Sequence, residues 1–207
     1  MEDFVHNAGH ELKTPLSVIS GDLQMMQAKK VYDKDFTQEM LAEVDKLNVL
    51  IEGLVDMANI HSASEKEEIN LYNELQDVLK TYQSQIEEKQ IQVEFKKQYH
   101  KIVVANKGYV QIFLWNLLSN AIKYNKKWGK ILCNLSKSHL IIEDTGIGIE
   151  NIHHSKIWKR FYKVQNGNTQ GSWIWLSLVK RIADVYHWNM IVESEKGAYT
   201  RFTVSFK

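Results

Sequence analysis

The chain has 207 residues, 44% of them hydrophobic and 25% charged, with a net charge of +1. That length suits one large domain or two small ones, and the composition is that of an ordinary soluble protein. The near-zero charge gives no footprint for nucleic acid, a lone cysteine (Cys133) excludes an internal disulfide, and there is neither a bilayer-spanning apolar run nor a signal peptide.

Residues 2 to about 28 read as a helix, because Phe4, Leu12, Leu16, Ile19, Leu23 and Met26 recur at spacings of three, four or eight. Pro15 lies inside this stripe and is expected to bend the helix just after His10. A polar connector over 28–35 leads to a second stripe, Phe36, Met40, Val44, Leu47, Ile51, Leu54 and Ala58. Two such helices form a hairpin that buries its own apolar face poorly. Pairing with a second copy as a four-helix bundle solves this; packing on the downstream domain is the plainer alternative. Glu65 to Glu68 reads as a hinge, and Leu71 to Lys89 as a helix. Strands are expected at 91–95, 101–105, 131–135, 140–144, 190–194 and 201–206, and helices at 109–124 and 177–186. That pattern suggests an α+β sandwich with helices on one face of a mixed sheet.

Four stretches carry chemistry. Phe4-Val5-His6-Asn7-Ala8-Gly9-His10-Glu11-Leu12-Lys13-Thr14-Pro15-Leu16 sets a histidine, a carboxylate and a hydroxyl close together on one helix. Asn116 and Asn120 are four residues apart, so both amides lie on one helical face. Amide oxygens are hard ligands suited to Mg²⁺ with phosphate, Lys123 can reach a phosphate, and Tyr124 offers a base an aromatic surface. Alone, this pair reads equally as a polar stripe on a packed helix. Glu143-Asp144-Thr145-Gly146-Ile147-Gly148-Ile149 ends a strand with a carboxylate and two glycines, which let backbone approach a ligand closely. The fourth stretch is Gly171-Ser172-Trp173-Ile174-Trp175-Leu176. His6 and His10, at i and i+4, supply half a metal site but no third ligand follows. The remaining histidines are expected to be structural or on the surface.

In this order the stretches resemble the phosphoacceptor box and the N, G1 and G2 boxes of bacterial two-component sensor histidine kinases. Trp158-Lys159-Arg160-Phe161-Tyr162-Lys163 resembles the F box between the last two. The resemblance covers essentially the whole chain. It implies a helical hairpin, a four-helix bundle as a dimer, followed by an α+β sandwich of the Bergerat ATP-binding type. The dimerisation and phosphoacceptor domain would be 1–63 and the catalytic ATP-binding domain 64–207. The implied activity is ATP-dependent autophosphorylation of His10 and transfer to an aspartate on a response regulator receiver domain. Glu11 would orient or deprotonate the imidazole, and Thr14 would position water for dephosphorylating the partner. Asn120 would hold Mg²⁺ with Asn116 beside it, Lys123 would neutralise phosphate, and Asp144 would read the adenine amine. Tyr124, Gly146, Gly148 and Thr200 would line the adenine site, with Phe161, Gly171 and Leu176 at the lid. The resemblance also implies a cytoplasmic piece of a membrane-anchored sensor whose upstream segments lie outside this sequence. A gyrase-type ATPase is disfavoured, because Asn116 stands where those enzymes carry a catalytic glutamate.

One departure matters. Trp173 and Trp175 occupy glycine positions of the G2 box, and Trp128 and Trp188 also stand where glycine fits the family pattern. Such glycines allow positive φ and close approach of backbone N–H groups to phosphates. Two accounts are open. Either the gene reads UGA as glycine and the native chain is an active kinase, or the tryptophans are real. In the second case the chain is a degenerate scaffold or a regulator phosphatase with a blocked lid. The codons at 128, 173, 175 and 188 decide between them.

Overall fold

A computed structural model describes residues 2–29, scattered positions between 37 and 55, Ile60, 65–159, Tyr162 and 175–206. The chain divides into two compact units, one holding the chain up to Asn59 and the other Ile60–Val164 with Trp175–Lys207. No helix among the described residues is long and apolar enough to cross a membrane.

In the first unit, α1 (Glu2–Lys29) runs unbroken through Pro15, which is buried. Ser17 Oγ donates to the Lys13 carbonyl at 2.8 Å, a back-bond that itself curves a helix slightly. The described positions between 37 and 55 are all helical, as the second stripe predicts. Leu16, Leu23, Leu41, Val44, Ile51 and Val55 all stand exposed to solvent. Among the described residues, both helical stretches therefore present apolar side chains to solvent.

The second unit is built on a five-stranded sheet of order β2-β4-β5-β7-β6. The strands are β2 (Gln92–Gln98), β4 (Lys130–Leu135), β5 (His139–Asp144), β6 (Asn189–Glu195) and β7 (Tyr199–Ser205). β2 and β4 run parallel and the other pairs antiparallel, so the sheet is mixed, as expected. Alternation along β4 and β5 buries Ile131, Cys133, Leu135, Leu140 and Ile142 on one face. Against that core lies α4 (Lys107–Lys123), started by Asn106, whose side chain accepts from the Tyr109 N–H at 3.2 Å. α4 packs on β5 and also contacts α2 (Leu71–Thr81) and α6 (Trp175–Val185), which follows the short α5 (Asn151–His154) in the chain. β2 carries a bulge between Phe95 and Lys97 at one sheet edge, and β6 forms the other edge with Glu193 and Glu195 exposed.

Two expectations need correction. The supposed hinge is a strand: β1 (Glu67–Asn70) pairs antiparallel with β3 (Ile102–Ala105). Its only buried residue is Ile69, too little apolar signal to show as alternation. The single helix over 71–89 is two, α2 and then α3 (Gln83–Glu88). The Thr81 hydroxyl donates to the Val78 carbonyl at 2.7 Å, the acceptor that a continuing helix would offer to Tyr82. The Tyr82 N–H bonds Leu79 O at 3.1 Å instead.

Two of the unexpected tryptophans part company. Trp128 sits in a turn at φ +67°, a left-handed backbone suited to glycine; the residue is 67% exposed, its ring beside Lys127. Trp188 is buried against Phe113, Phe206 and Tyr186, with ring centroids 5.2–5.3 Å away. The positive φ of its turn falls on His187 (φ +57°), so backbone geometry gives no reason for glycine at 188. Opposite outcomes are expected in denaturant titration. Trp128→Gly stabilises by about 0.5–1 kcal/mol, relieving left-handed strain at no packing cost. Trp188→Gly destabilises by at least about 3 kcal/mol, because it empties an aromatic cage.

Candidate functional site

β5 ends at Asp144, which is 5% exposed. Its Oδ1 accepts the Gly146 N–H at 2.8 Å, so the carboxylate folds the following loop over itself. Burial pushes the Asp144 carboxyl up to about 7, against the lowering effect of the Gly146 N–H; the nearby Glu143 charge adds to the rise. A buried carboxylate raised toward neutrality, beside a loop whose glycines leave its backbone open to close approach, marks this end of the sheet as the candidate site.

The glycines of that loop are sterically required. A Cβ on Gly146 would strike the Tyr124 carbonyl and Asp144 Oδ1. Gly148 holds φ +62°, and a Cβ there would strike the Glu195 carbonyl. Each side of the loop is fastened. Ile147 N–H donates to Tyr124 O at 3.1 Å, and Gly197 N–H donates to Ile147 O at 2.6 Å. Ile149 N–H donates to Ser194 Oγ at 2.8 Å, and Lys196 pairs with Glu150. The loop is thus held between the end of α4 and the β6–β7 turn.

α4 supplies the second wall. Tyr124 closes the helix, half-buried, with the Lys123 ammonium 5.6 Å from its ring centroid. Asn120 is half-buried about one turn back. Asn116 is buried a further turn back, and its Nδ2 donates to Ile112 O at 2.7 Å, which turns the amide oxygen away from the helix backbone. Lys89 caps this helix, donating to the carbonyls of Ile122 at 2.9 Å and Lys123 at 2.7 Å. Desolvation, and then the charge of Lys89, hold Lys123 below the usual lysine range.

Thr200 stands opposite Asp144 in the β5–β7 register and is buried. Tyr124, Asp144, Gly146, Gly148 and Thr200 therefore meet at one end of the sheet. Leu176 lies half-buried in the first turn of α6, beside Trp175. Phe161, Gly171 and Trp173 lie outside the described residues. His10 and Glu11 lie on α1, where the backbone alone is described, and Thr14 is exposed one turn on. Sequence reasoning missed three groups. They are Lys89 as the cap of α4, the Asn125–Thr145 hydrogen bond at 3.3 Å beneath the loop, and Ser194. Each acts through tertiary contact, which leaves no local spacing to read.

Comparison with known proteins agrees with this geometry. Residues 1–63 match the family described as "His Kinase A (phospho-acceptor) domain". Residues 105–207 match "Histidine kinase-, DNA gyrase B-, and HSP90-like ATPase". The chain is 30% identical to the signal transduction histidine-protein kinase ArlS of Staphylococcus haemolyticus over 219 residues, covering 99% of this chain and 48% of that protein. It spans about a third to a half of the length of the curated relatives it matches. In fold it is similar to the Acinetobacter baumannii histidine kinase AdeS, with TM-score 0.76 and 22% identity over 96% of this chain and 97% of that one. It is also similar to the histidine kinase ThkA, solved in complex with the response regulator protein TrrA, with TM-score 0.74, 19% identity and coverage of 99% and 61%. With a phospho-acceptor domain ahead of an ATPase domain, on the fold that those residues build, the chain belongs to the two-component sensor histidine kinases.

Proposed function

We propose that this chain binds ATP at the Asp144 end of the sheet, phosphorylates His10 and passes the phosphoryl group to an aspartate of a response regulator. The observation that carries the reading is the buried Asp144 carboxylate under the Gly146–Gly148 loop, next to the amide face of α4. The Asp144 carboxylate accepts from the exocyclic amine of adenine, Tyr124 and Thr200 flank the base, and Lys123 lies toward the phosphates. The phosphoacceptor domain is 1–63 and the ATP-binding domain 64–207. Glu11 orients or deprotonates the His10 ring so that its other nitrogen attacks the γ-phosphorus in line. Thr14 positions water in the reverse, dephosphorylating sense.

Mg²⁺ fits this site in one way. Among the described residues no group of three His, Cys, Asp or Glu side chains stands ready to hold a metal. The outward amide oxygen of Asn116, and Asn120 beside it, are hard donors that would share the ion with phosphate oxygens. When bound, the ion neutralises charge on the phosphoryl group being transferred.

The uncovered apolar stripe on the hairpin is the surface for a second copy of the chain, which would complete a four-helix bundle. We place this core in a longer sensor, with a receiver domain as its other partner and a membrane anchor upstream.

Incubation with γ-labelled ATP is expected to give an acid-labile label that His10→Gln abolishes. If label appears only after Trp173→Gly and Trp175→Gly, the chain as written is the scaffold or phosphatase. A label that survives acid, or survives His10→Gln, overturns the assignment.

The raised Asp144 carboxyl has a signed consequence. The folded state keeps that proton up to about pH 7, whereas the unfolded chain releases it near pH 4. Stability of the nucleotide-free protein therefore falls as pH rises from about 4 through about 7. Asp144→Asn is expected to flatten this dependence and to raise Tm at pH 8 by a few degrees, while removing ATP binding in calorimetry. Wild-type affinity rises with pH through about 7, because the ionised form accepts from the amine.

Sedimentation is expected to show a dimer for the wild type. Leu23→Asp with Ile51→Asp should give a monomer whose ATP affinity is unchanged.

A further inference from the structure

Three buried polar side chains stand abreast on neighbouring strands. The register sets Asp144 of β5 opposite Thr200 of β7, and Thr200 opposite Ser194 of β6. All three are at least nine-tenths buried. Residues directly opposite in a ladder project from the same face, so these form one row. Ser194 Oγ makes three hydrogen bonds. It lies 2.6 Å from Tyr199 O, 2.8 Å from the Ile149 nitrogen and 3.2 Å from Thr200 Oγ1.

The proton inventory of that row is determined. A serine hydroxyl has one proton to donate and two lone pairs to accept with. A carbonyl can only accept, so the Ser194 proton goes to Tyr199 O. The Ile149 N–H can only donate, and it takes one lone pair. The remaining lone pair faces Thr200, which must therefore donate its own hydroxyl proton to Ser194. Thr200 is left with lone pairs alone for anything that approaches from the Asp144 side. Above about pH 7, where the test is made, Asp144 is ionised and is likewise an acceptor. The row thus offers acceptors only, which suits an amine with two N–H donors and repels a carbonyl oxygen.

We propose that Ser194 is a positioning residue for base selection. It holds Thr200 as an acceptor beside Asp144 and ties the 146–149 loop to the same row. The site thereby favours a 6-aminopurine over a 6-oxopurine, a discrimination that rests on the nucleotide reading above. Burial amplifies the preference, because an acceptor facing an acceptor away from bulk solvent lacks a partner.

The test compares ADP with inosine diphosphate, which carries a carbonyl where adenine carries the amine, on the full chain by calorimetry. Ser194→Ala frees the Thr200 hydroxyl to turn and donate. The preference for ADP should then fall by roughly tenfold, the size of one lost hydrogen-bond discrimination. In a Thr200→Val background the same substitution should leave the preference unchanged, because no rotor remains to release. Equal weakening of both nucleotides, or the same change in both backgrounds, overturns the selection role. A second arm needs no ligand: Ser194→Ala should speed amide hydrogen exchange at Ile149 by at least tenfold relative to the β7 amides. Unchanged exchange there overturns the loop tie. A wild-type chain that binds neither nucleotide refutes the reading of the site, and base selection with it, while the exchange arm still judges the tie.

Discussion

The second unit depends on the pairing register of β5, β7 and β6. Because side chains alternate along a strand, one register produces two rows with opposite duties. One row is Asp144, Thr200 and Ser194, buried and hydrogen-bonded. The neighbouring row is Glu143, Arg201 and Glu193. There Arg201 Nε lies 2.7 Å from Glu143 and its Nη1 lies 3.6 Å from Glu193. The exchange of one row for the other by a one-residue slip would bury three charged side chains and expose the Asp144 carboxylate. The partly exposed ion pairs contribute little to stability individually. Their importance lies in making the wrong register costly.

That register also sets where the glycine loop can go. The loop leaves β5 beside α4 and is caught by the β6–β7 turn through Gly197, Lys196 and Ser194. α4 is positioned by packing on β5 and ended by Lys89, whose ammonium binds carbonyls that the helix cannot satisfy itself. Backbone bonds from Ile147 to Tyr124 and from Gly197 to Ile147 join the two walls of the site, and the Ser194 and Lys196 side chains add to them. Such a site is pre-formed in its floor. The groups expected to cover the phosphates belong to a different stretch of the chain.

Much of this was legible in the sequence. Strand alternation placed β4, β5 and β6 to within one residue and β7 to within two, most clearly in β4 and β5, which set an apolar face on the core. The D-x-G-x-G spacing marked Gly146 and Gly148, whose replacement the packing forbids. β1 was invisible, because a four-residue strand with one buried side chain has no period to detect. The break at Tyr82 was invisible as well, since it follows from the hydroxyl of Thr81 competing for one carbonyl. Ser194 looked like the last residue of a strand. Its three partners come from residues 149, 199 and 200, so only the folded chain reveals its role. The glycine pattern marked four tryptophans alike, but burial separates Trp128 from Trp188.

The two sheet edges differ from the hairpin in how they meet other molecules. An open strand edge is a template for adding further strands, and proteins usually blunt it. Here β2 is interrupted by its bulge, and β6 presents Glu193 and Glu195. Neither edge offers a flat, neutral ladder to a neighbour. Among the described residues, the exposed leucine, valine and isoleucine side chains of the helices form an apolar stripe instead. Crowded copies of this chain are thus steered toward helix-to-helix contact, which closes on itself, and away from strand addition, which has no natural end.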